Sequence, residues 1–143
     1  MAQNTLKLKI ISPEALVYES DDVLSINMKT GAGEITVLPK HIPLITTLKT
    51  GEIIVKKTGE KEPVGLSVSR GVLEVREDSK VIILAERSEL GHMIDVERAE
   101  AAYERAKQIK EESLHTLDVD SARFEALIEK ELNRIRVGKK WKR

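Results

Sequence analysis

The chain has three histidines, the residues best suited to catalysis or metal binding, but their spacing argues against both roles. His41, His92 and His115 lie far apart, and none has a second ligand at the spacing of a zinc site. The chain contains no cysteine, which excludes disulfides and cysteine-based zinc sites. The sequence also contains neither a Gly-Lys-Ser/Thr phosphate loop nor a nucleophile elbow. We therefore expect no catalytic residue and no metal ligand.

His41 instead lies between two prolines, Pro39 and Pro43, just before an apolar run. Each proline fixes its own backbone angle and pushes the preceding residue toward extended geometry. This pattern predicts a stiff, exposed loop, and stiffness lowers the ordering cost of binding a partner. We interpret the loop as a docking element, and its imidazole can also cap a local backbone group. The alternative is a small hydrolase that uses His41 or a pair of carboxylates.

The residues before position 86 alternate between apolar and polar side chains, as in half-buried β-strands. Turn signals separate these runs at residues 30–33, 58–60 and 77–79. Eight or more short strands predict an antiparallel β-sandwich or flattened barrel over residues 1–86. The runs are 6–10, 24–28, 33–38, 44–48, 52–56, 64–68, 72–76 and 80–85.

The hydrophobic period changes to that of helices after residue 86, and residues 87–143 are predicted to form an antiparallel two-helix hairpin with a basic tail. Asp95 is a suitable N-cap for the first helix, and Asp118 or Asp120 for the second. Residues 113–120 break the period and form the predicted turn. The predicted packing faces are Ala99, Ala102, Tyr103, Ala106 and Ile109 on the first helix, and Phe124, Leu127, Ile128, Leu132 and Ile135 on the second.

The two parts differ in charge, although the net charge of the chain is zero. Charged side chains make up 22 of the first 85 residues and 26 of the last 58. The first helix offers mainly alanine, which buries little apolar area, and short helices are marginal alone in water. We interpret the hairpin as a movable arm, and a permanently docked hairpin is the alternative. The N-terminus shows no signal peptide and no segment is long enough to span a membrane, so we expect any membrane role to be peripheral.

Three motifs, in this order, closely resemble the epsilon subunit of F-type ATP synthase, and the resemblance covers nearly the whole chain. They are Gly33-Glu-Ile-Thr-Val-Leu-Pro-Lys-His-Ile-Pro-Leu44, Gly71-Val-Leu-Glu-Val75 and Ile94-Asp-Val-Glu-Arg-Ala99. The sequence departs from the common family pattern at Thr36 and Lys40, and at Arg70 within Ser69-Arg70-Gly71. Glycine is common in the family at each of these places.

The resemblance implies a non-catalytic subunit of the central stalk, which couples subunit γ to the c ring and restrains ATP hydrolysis. It implies that γ and the polar loops of the c ring contact Glu34, Pro39, His41 and Pro43. It also places the protein at the cytoplasmic face of a bacterial membrane, or at the stromal face of a thylakoid, attached only through the complex. No nucleic-acid partner is expected.

In the family the hairpin is a regulatory arm that either folds against the sandwich or extends along γ toward the catalytic subunits. The resemblance implies contacts with subunit β in the extended state through Arg123, Lys130, Arg134 and Arg136. Ordinary solvent-exposed charges are the alternative interpretation of these four residues.

In some bacterial members the folded hairpin binds ATP as a regulatory ligand, and no other cofactor is required. The matching residues in this chain are Glu89, Ile94, Asp95, Arg98, Ala99, Arg105, Lys130 and Arg134. Arg98 and Arg105 are two helical turns apart, so both guanidinium groups can reach one face and hold a triphosphate. The alternative is that Asp95 only caps the helix.

The last ten residues, 134–143, carry six positive charges and the only tryptophan. We expect a solvated tail there. Contact with a lipid headgroup, a nucleic acid or subunit β is the alternative. A nucleic-acid binder would show steeply salt-dependent binding that disappears when residues 137–143 are removed.

Overall fold

The computed structural model describes residues 4–113 and 121–142 of the chain. It divides into two compact units, Met1–Leu90 and Gly91–Arg143. The first contains the strands and the second contains the helices. The last strand runs to Leu90, four residues beyond the position at which the hydrophobic period changes.

Seven strands form the first unit, and their pairing confirms the predicted β-sandwich. The sheet runs in the order β1-β7-β6-β4-β2-β3, β5 pairs with β2 and β6, and β1 also pairs with β2, so the sheet folds back on itself. The strands are β1 (Leu6–Ile11), β2 (Leu16–Thr30), β3 (Gly33–Val37), β4 (Leu44–Leu48), β5 (Gly51–Lys57), β6 (Val64–Arg76) and β7 (Lys80–Leu90).

Two details of the sheet differ from the sequence-based expectation. The predicted strands 64–68 and 72–76 are one continuous strand, β6, so the described residues contain seven strands rather than eight or more. Polar Ser69 and Arg70 interrupt the apolar alternation, but the ladder to β7 includes Ser69, opposite Arg87, and resumes at Gly71, opposite Ala85. In addition, β1 and β7 run parallel, whereas the other pairings are antiparallel.

The core of the sandwich consists of the inward-pointing positions of the alternating strands. In β1, for example, Leu6, Leu8 and Ile10 are buried while Lys7 and Lys9 are exposed. Large aliphatic side chains fill this core because the chain has few aromatic residues. Further members of the core are Val23, Ile26, Met28, Val37, Ile53, Val55, Leu66, Leu73, Val81 and Ile83.

The second unit contains α1 (Val96–Ser113) and α2 (Ser121–Lys140), preceded by a single 3-10 turn at Gly91–Met93. Two exposed ion pairs connect the helices: Lys110 Nζ lies 3.5 Å from Glu125 Oε1, and Lys139 Nζ lies 3.3 Å from Glu100 Oε1. The beginning of each helix therefore lies beside the end of the other, which confirms an antiparallel pair. The predicted turn, and the predicted caps Asp118 and Asp120, lie outside the described residues.

The burial pattern of the helices confirms most of the predicted faces. Ala99 and Ala106 are buried, and Phe124, Leu127, Ile128 and Ile135 are partly buried. Ile109 and Leu132 were expected on the packing faces but are exposed. Buried apolar side chains are thus sparse in the helices and mostly small.

The expectation of a solvated tail after Arg134 is wrong. Helix α2 continues to Lys140, and the Trp141 amide still donates a helical hydrogen bond to the Val137 carbonyl, at 3.0 Å. Val137 and Gly138 are buried. Apolar Val137 and Trp141 are four residues apart and share one face of the helix, which outweighs the surrounding positive charge.

Candidate functional site: a rigid loop, an apolar patch and an arginine-bearing hairpin

The loop around His41 is held by short hydrogen bonds. The His41 amide donates to the Leu38 carbonyl at 3.1 Å, and Nδ1 of its ring lies 2.7 Å from the Ile42 carbonyl oxygen. The Lys40 amide donates to the Ser79 hydroxyl at 2.9 Å, which attaches the loop to the β6–β7 turn. The imidazole thus contacts a local backbone carbonyl, and these hydrogen bonds hold the loop in the conformation seen here.

Lys40 has a φ of 66°, in the left-handed region that favours glycine. Arg70 has a φ of 52°, in the same region. Both residues stand where the common family pattern has glycine. The structure therefore gives a physical reason for that pattern, and it shows that this chain has a strained backbone at both positions.

Large apolar side chains near this loop are strongly exposed. Ile42 is 75% exposed, Ile45 is 73% exposed and Leu38 is 54% exposed. Ile45 lies in β4, two residues after Pro43. A loop whose apolar side chains point to solvent, and whose backbone is already ordered, has the properties of a binding element.

Ile45 belongs to a wider surface that we call the apolar patch, which consists of Ile45, Val72 and Leu84. Val72 lies opposite Leu84 in the β6–β7 ladder and opposite Thr47 in the β4–β6 ladder. Val72, Leu84 and Thr47 therefore share one face of the sheet. Ile45 is two residues from Thr47 and therefore has the same orientation. All three patch residues are exposed.

Sequence reasoning missed this patch, although the sequence contains a signal for it. Each member stands next to another apolar residue in its strand: Leu44–Ile45, Val72–Leu73 and Ile83–Leu84. Two consecutive apolar residues place one side chain on each face of a strand. Such pairs therefore indicate an apolar outer face in addition to the core.

Glu34 is exposed at the start of β3, opposite Lys29 of β2. Pro39 and His41 are partly buried, and Pro43 is exposed. Strand β3 leads directly into the loop, so these four residues follow one another along the same edge of the sandwich. No hydrogen bond or ion pair connects Glu34 to the loop within the described residues.

On α1 and just before it, the predicted ATP-binding residues divide into buried and exposed groups. Ile94 and Ala99 are buried, whereas Arg98 and Arg105 are exposed. The Asp95 carboxylate accepts a hydrogen bond from the Arg98 amide at 3.0 Å, which confirms Asp95 as the N-cap. In the described part of the chain, neither the Arg98 nor the Arg105 guanidinium makes an ion pair.

On α2 the two predicted residues lie beside a buried carboxylate. Arg134 Nη1 is 2.8 Å from Glu131 Oε2, with both side chains buried, and Lys130 Nζ is 3.8 Å from Glu131 Oε1. The two interhelical ion pairs bring Arg105 opposite residues 130–134. The hairpin therefore brings Arg105, Lys130 and Arg134 to one level, whereas Arg98 lies at the level of the last turn of α2.

Three further predicted residues have separate locations. Glu89 lies in β7 of the first unit, where its carboxylate is 3.6 Å from Arg87 Nε. Arg123 and Arg136, predicted to contact subunit β, are exposed on α2. Neither helix in the described residues is long and apolar enough to cross a membrane.

Comparisons with known proteins assign this architecture to a class. Residues 5–91 match the β-sandwich domain of the ATP synthase delta/epsilon chain, and residues 93–139 match the long α-helix domain of the same chain. The class defined by the fold is therefore a delta/epsilon-type chain, with its two domains in the expected order.

Curated relatives narrow the class to one subunit. The chain is 38% identical to the ATP synthase epsilon chain of Bacillus licheniformis, over 94% of this chain and 98% of the relative. It is 42% identical to the epsilon chain of Staphylococcus aureus, over 94% of this chain and 97% of the relative. The chain belongs to the epsilon subunit family of F-type ATP synthases.

Solved structures show the same fold at lower identity. A chain of the Euglena gracilis mitochondrial ATP synthase aligns with a TM-score of 0.75 at 21% identity, covering 92% of this chain and 79% of that chain. A chain from the central stalk and c-ring structure of the Tetrahymena thermophila enzyme aligns with a TM-score of 0.59 at 17% identity, covering 98% of each.

Proposed function

We propose that this epsilon subunit docks on subunit γ and the c ring through its sandwich, and restrains ATP hydrolysis with its helical hairpin. The subunit itself carries no catalytic residue. It acts at the cytoplasmic face of a bacterial membrane, or at the stromal face of a thylakoid, and contacts the membrane only through the complex. The observation that carries the proposal is the rigid His41 loop beside exposed Ile42 and Ile45.

The docking role follows from how little this surface would change on binding. The loop is already fixed by its backbone hydrogen bonds and by Ser79, so the ordering cost is low. The apolar patch supplies area that gains free energy when a partner covers it. Glu34 and His41 add polar groups that orient the contact with the polar loops of the c ring.

Titration of an epsilon-depleted ATP synthase with the full chain tests the docking surface. Ile45→Asp should weaken binding about tenfold or more, which corresponds to about 1.4 kcal/mol, because a charge replaces an apolar anchor. Leu16→Asp is the matched control, since Leu16 is an exposed leucine of β2 outside the patch. Equal affinities for the two variants would contradict docking through the patch.

In the proposed regulatory role the hairpin has two states. In the closed state α1 and α2 pack side by side, and in the extended state α2 leaves α1 and approaches the catalytic subunits. Arg123 and Arg136 are exposed, while Lys130 and Arg134 become available to subunit β when α2 leaves α1. The sparse, alanine-rich packing of α1 supports this role, because little apolar area is lost when the helices separate.

ATP is the proposed ligand of the closed state. Arg98 and Arg105 are exposed and have no ion-pair partner in the described residues, which suits phosphate binding. Arg134 already has the Glu131 carboxylate at 2.8 Å, so on α2 a phosphate oxygen would take the place of that carboxylate. Ligand at 100 times its dissociation constant stabilises the binding state by about 2.7 kcal/mol, enough to shift a marginal equilibrium.

Isothermal titration of the full chain with ATP, with and without magnesium, tests the ligand. We expect micromolar or tighter binding that is lost in Arg98→Ala and kept in Arg76→Ala, an exposed arginine of the sandwich. The absence of binding up to millimolar ATP would reduce the Ile94–Ala99 motif to the start of a helix. Control of the arm would then come from the other subunits.

A further inference from the structure

Gly138 is an unexpected residue for its position near the end of α2. Glycine is the weakest helix former after proline, yet here it occupies a buried helical position. A methyl group at Gly138 would lie 2.7 Å from Val96 Cγ2 and 3.0 Å from Ile94 Cγ2. The end of α2 therefore approaches the start of α1 too closely for any side chain.

A second glycine, Gly91, makes the same kind of close contact, here from the segment that precedes α1. A methyl group at Gly91 would lie 2.8 Å from Cβ of Trp141 and 2.9 Å from its Cγ and Cδ1. Trp141 thus packs on the bare backbone of the turn that precedes α1. The Lys140 ammonium lies 5.5 Å from the centre of the Trp141 ring, within the range of a cation–π interaction.

These contacts occupy one face of α2, because Trp141 lies three residues after Gly138 and four residues after Val137. Gly138 and Trp141 both meet the segment from Gly91 to Val96. At the edge, the exposed ion pair between Lys139 and Glu100 spans the same two elements. The backbones approach closely in this region, whereas the described face of α1 buries mainly alanine.

We propose that Gly91, Gly138 and Trp141 form a clasp that holds the hairpin closed and sets the balance between its closed and open states. The proposal rests on the hairpin role proposed above. Separating α2 from α1 must withdraw Trp141 from Gly91 and Gly138 from Ile94 and Val96. The clasp is therefore the contact that opening has to break, and Trp141, which is partly buried in the closed hairpin, becomes more exposed when the clasp breaks.

The sequence supplies a direct reporter, because Trp141 is the only tryptophan. We would measure its emission and acrylamide quenching in the full chain and in Gly91→Ala and Gly138→Ala. The added methyl groups have no room, so both variants should shift the emission to longer wavelength and increase quenching. Gly51→Ala is the matched control, since a methyl group there meets nothing closer than 3.6 Å.

Gly138→Ala is the more discriminating variant because its two effects oppose each other. Alanine raises the helix propensity of α2, yet it should open the hairpin. Wild-type emission and quenching in both glycine variants would overturn the clasp. Trp141→Ala removes atoms instead of adding them, and amides 91–96 should then exchange hydrogen faster; unchanged exchange would also overturn it.

Inhibition assays separate the clasp from the function on which it rests. Added to epsilon-depleted ATP synthase, the two glycine variants should inhibit ATP hydrolysis more strongly than the wild type, because their arms are open more often. Shifted emission with unchanged inhibition would leave the clasp standing and contradict the inhibitory role of the open hairpin.

Discussion

The sandwich and the hairpin differ in what they bury. The sandwich buries leucine, isoleucine, valine and methionine along its strands, many of them with no exposed area. The second unit buries one large apolar side chain of its first segment, Ile94, and otherwise Ala99, Ala106 and Val137 together with the polar residues Glu131, Asn133 and Arg134. Large apolar side chains contribute about 1.5–3 kcal/mol each when buried, whereas alanine contributes much less. The first unit is therefore suited to permanent docking, and the second to a change of state.

The largest expected effect is in the sandwich core. Ile83→Ala should lower the free energy of unfolding by about 2–5 kcal/mol, because it leaves a cavity in a fully buried site. Its neighbour Leu84→Ala is the control, since Leu84 is 52% exposed, and we expect a change within about 0.5 kcal/mol. Urea unfolding followed by far-UV circular dichroism measures both. Similar losses would mean that Leu84 also belongs to the core.

A smaller effect is expected from the buried ion pair of the hairpin. Glu131→Gln should cost about 1–3 kcal/mol, because the buried Arg134 guanidinium loses its charged partner. The loss should appear as faster hydrogen exchange in α1 and α2, with exchange in the sandwich strands unchanged. Glu129→Gln changes an exposed residue of the same helix and should alter neither the stability nor the hydrogen exchange of α1 and α2. Equal loss of protection in the sandwich strands would contradict a role of this ion pair confined to the hairpin.

Relief of backbone strain should have an effect of the opposite sign. Lys40→Gly and Arg70→Gly should each raise the stability of the sandwich by up to about 1 kcal/mol, because glycine adopts a positive φ without a steric penalty. Lys49→Gly is the control, because Lys49 has no positive φ, and this change should not stabilise the sandwich. Thermal unfolding measures the change, and a loss of stability in both variants would show that the strain is not relieved.

The smallest effect is a pH dependence in the sandwich. A hydrogen bond from the Ser20 hydroxyl, followed by attraction to Lys57, lowers the pKa of Asp22 below its ordinary value of 3.8. Because the pKa of Asp22 is lower in the folded state, its carboxylate contributes stability above pH 3.8. This contribution is lost as the pH falls through the pKa of the folded state. Asp22→Asn should remove this part of the acid dependence in urea titrations between pH 2 and 6. If the free energy of unfolding depended on pH in the same way in Asp22→Asn and in the wild type, this role of Asp22 would be contradicted.

The fold was predictable from the sequence because both units have clear hydrophobic periods. The division into strands and helices and the Asp95 cap depend on local patterns, and the structure confirms them. The contact of the His41 ring with a local backbone carbonyl was expected for the same reason. The continuity of β6 was not predictable, because Ser69 and Arg70 interrupt the apolar alternation although the ladder to β7 continues on both sides of Arg70. The parallel pairing of β1 with β7 depends on strands that are far apart in sequence.

The close contacts of the hairpin were also beyond local reasoning. Gly138 and Trp141 are separated by more than forty residues from their partners, Gly91 and the Ile94–Val96 segment. The basic composition of residues 134–143 predicted a solvated tail, since charge count ignores which face of the helix each side chain occupies. Likewise, nothing local indicated that Glu131 would be the partner of Arg134.

The central claim, that the hairpin restrains ATP hydrolysis only when α2 leaves α1, can be tested by locking the hairpin closed. The chain has no cysteine, so Glu100→Cys with Lys139→Cys gives one pair, which a cleavable bis-maleimide can join. Added to epsilon-depleted ATP synthase, the joined protein should bind but not inhibit hydrolysis, and cleavage of the linker should restore inhibition. Full inhibition by the joined protein would contradict the account.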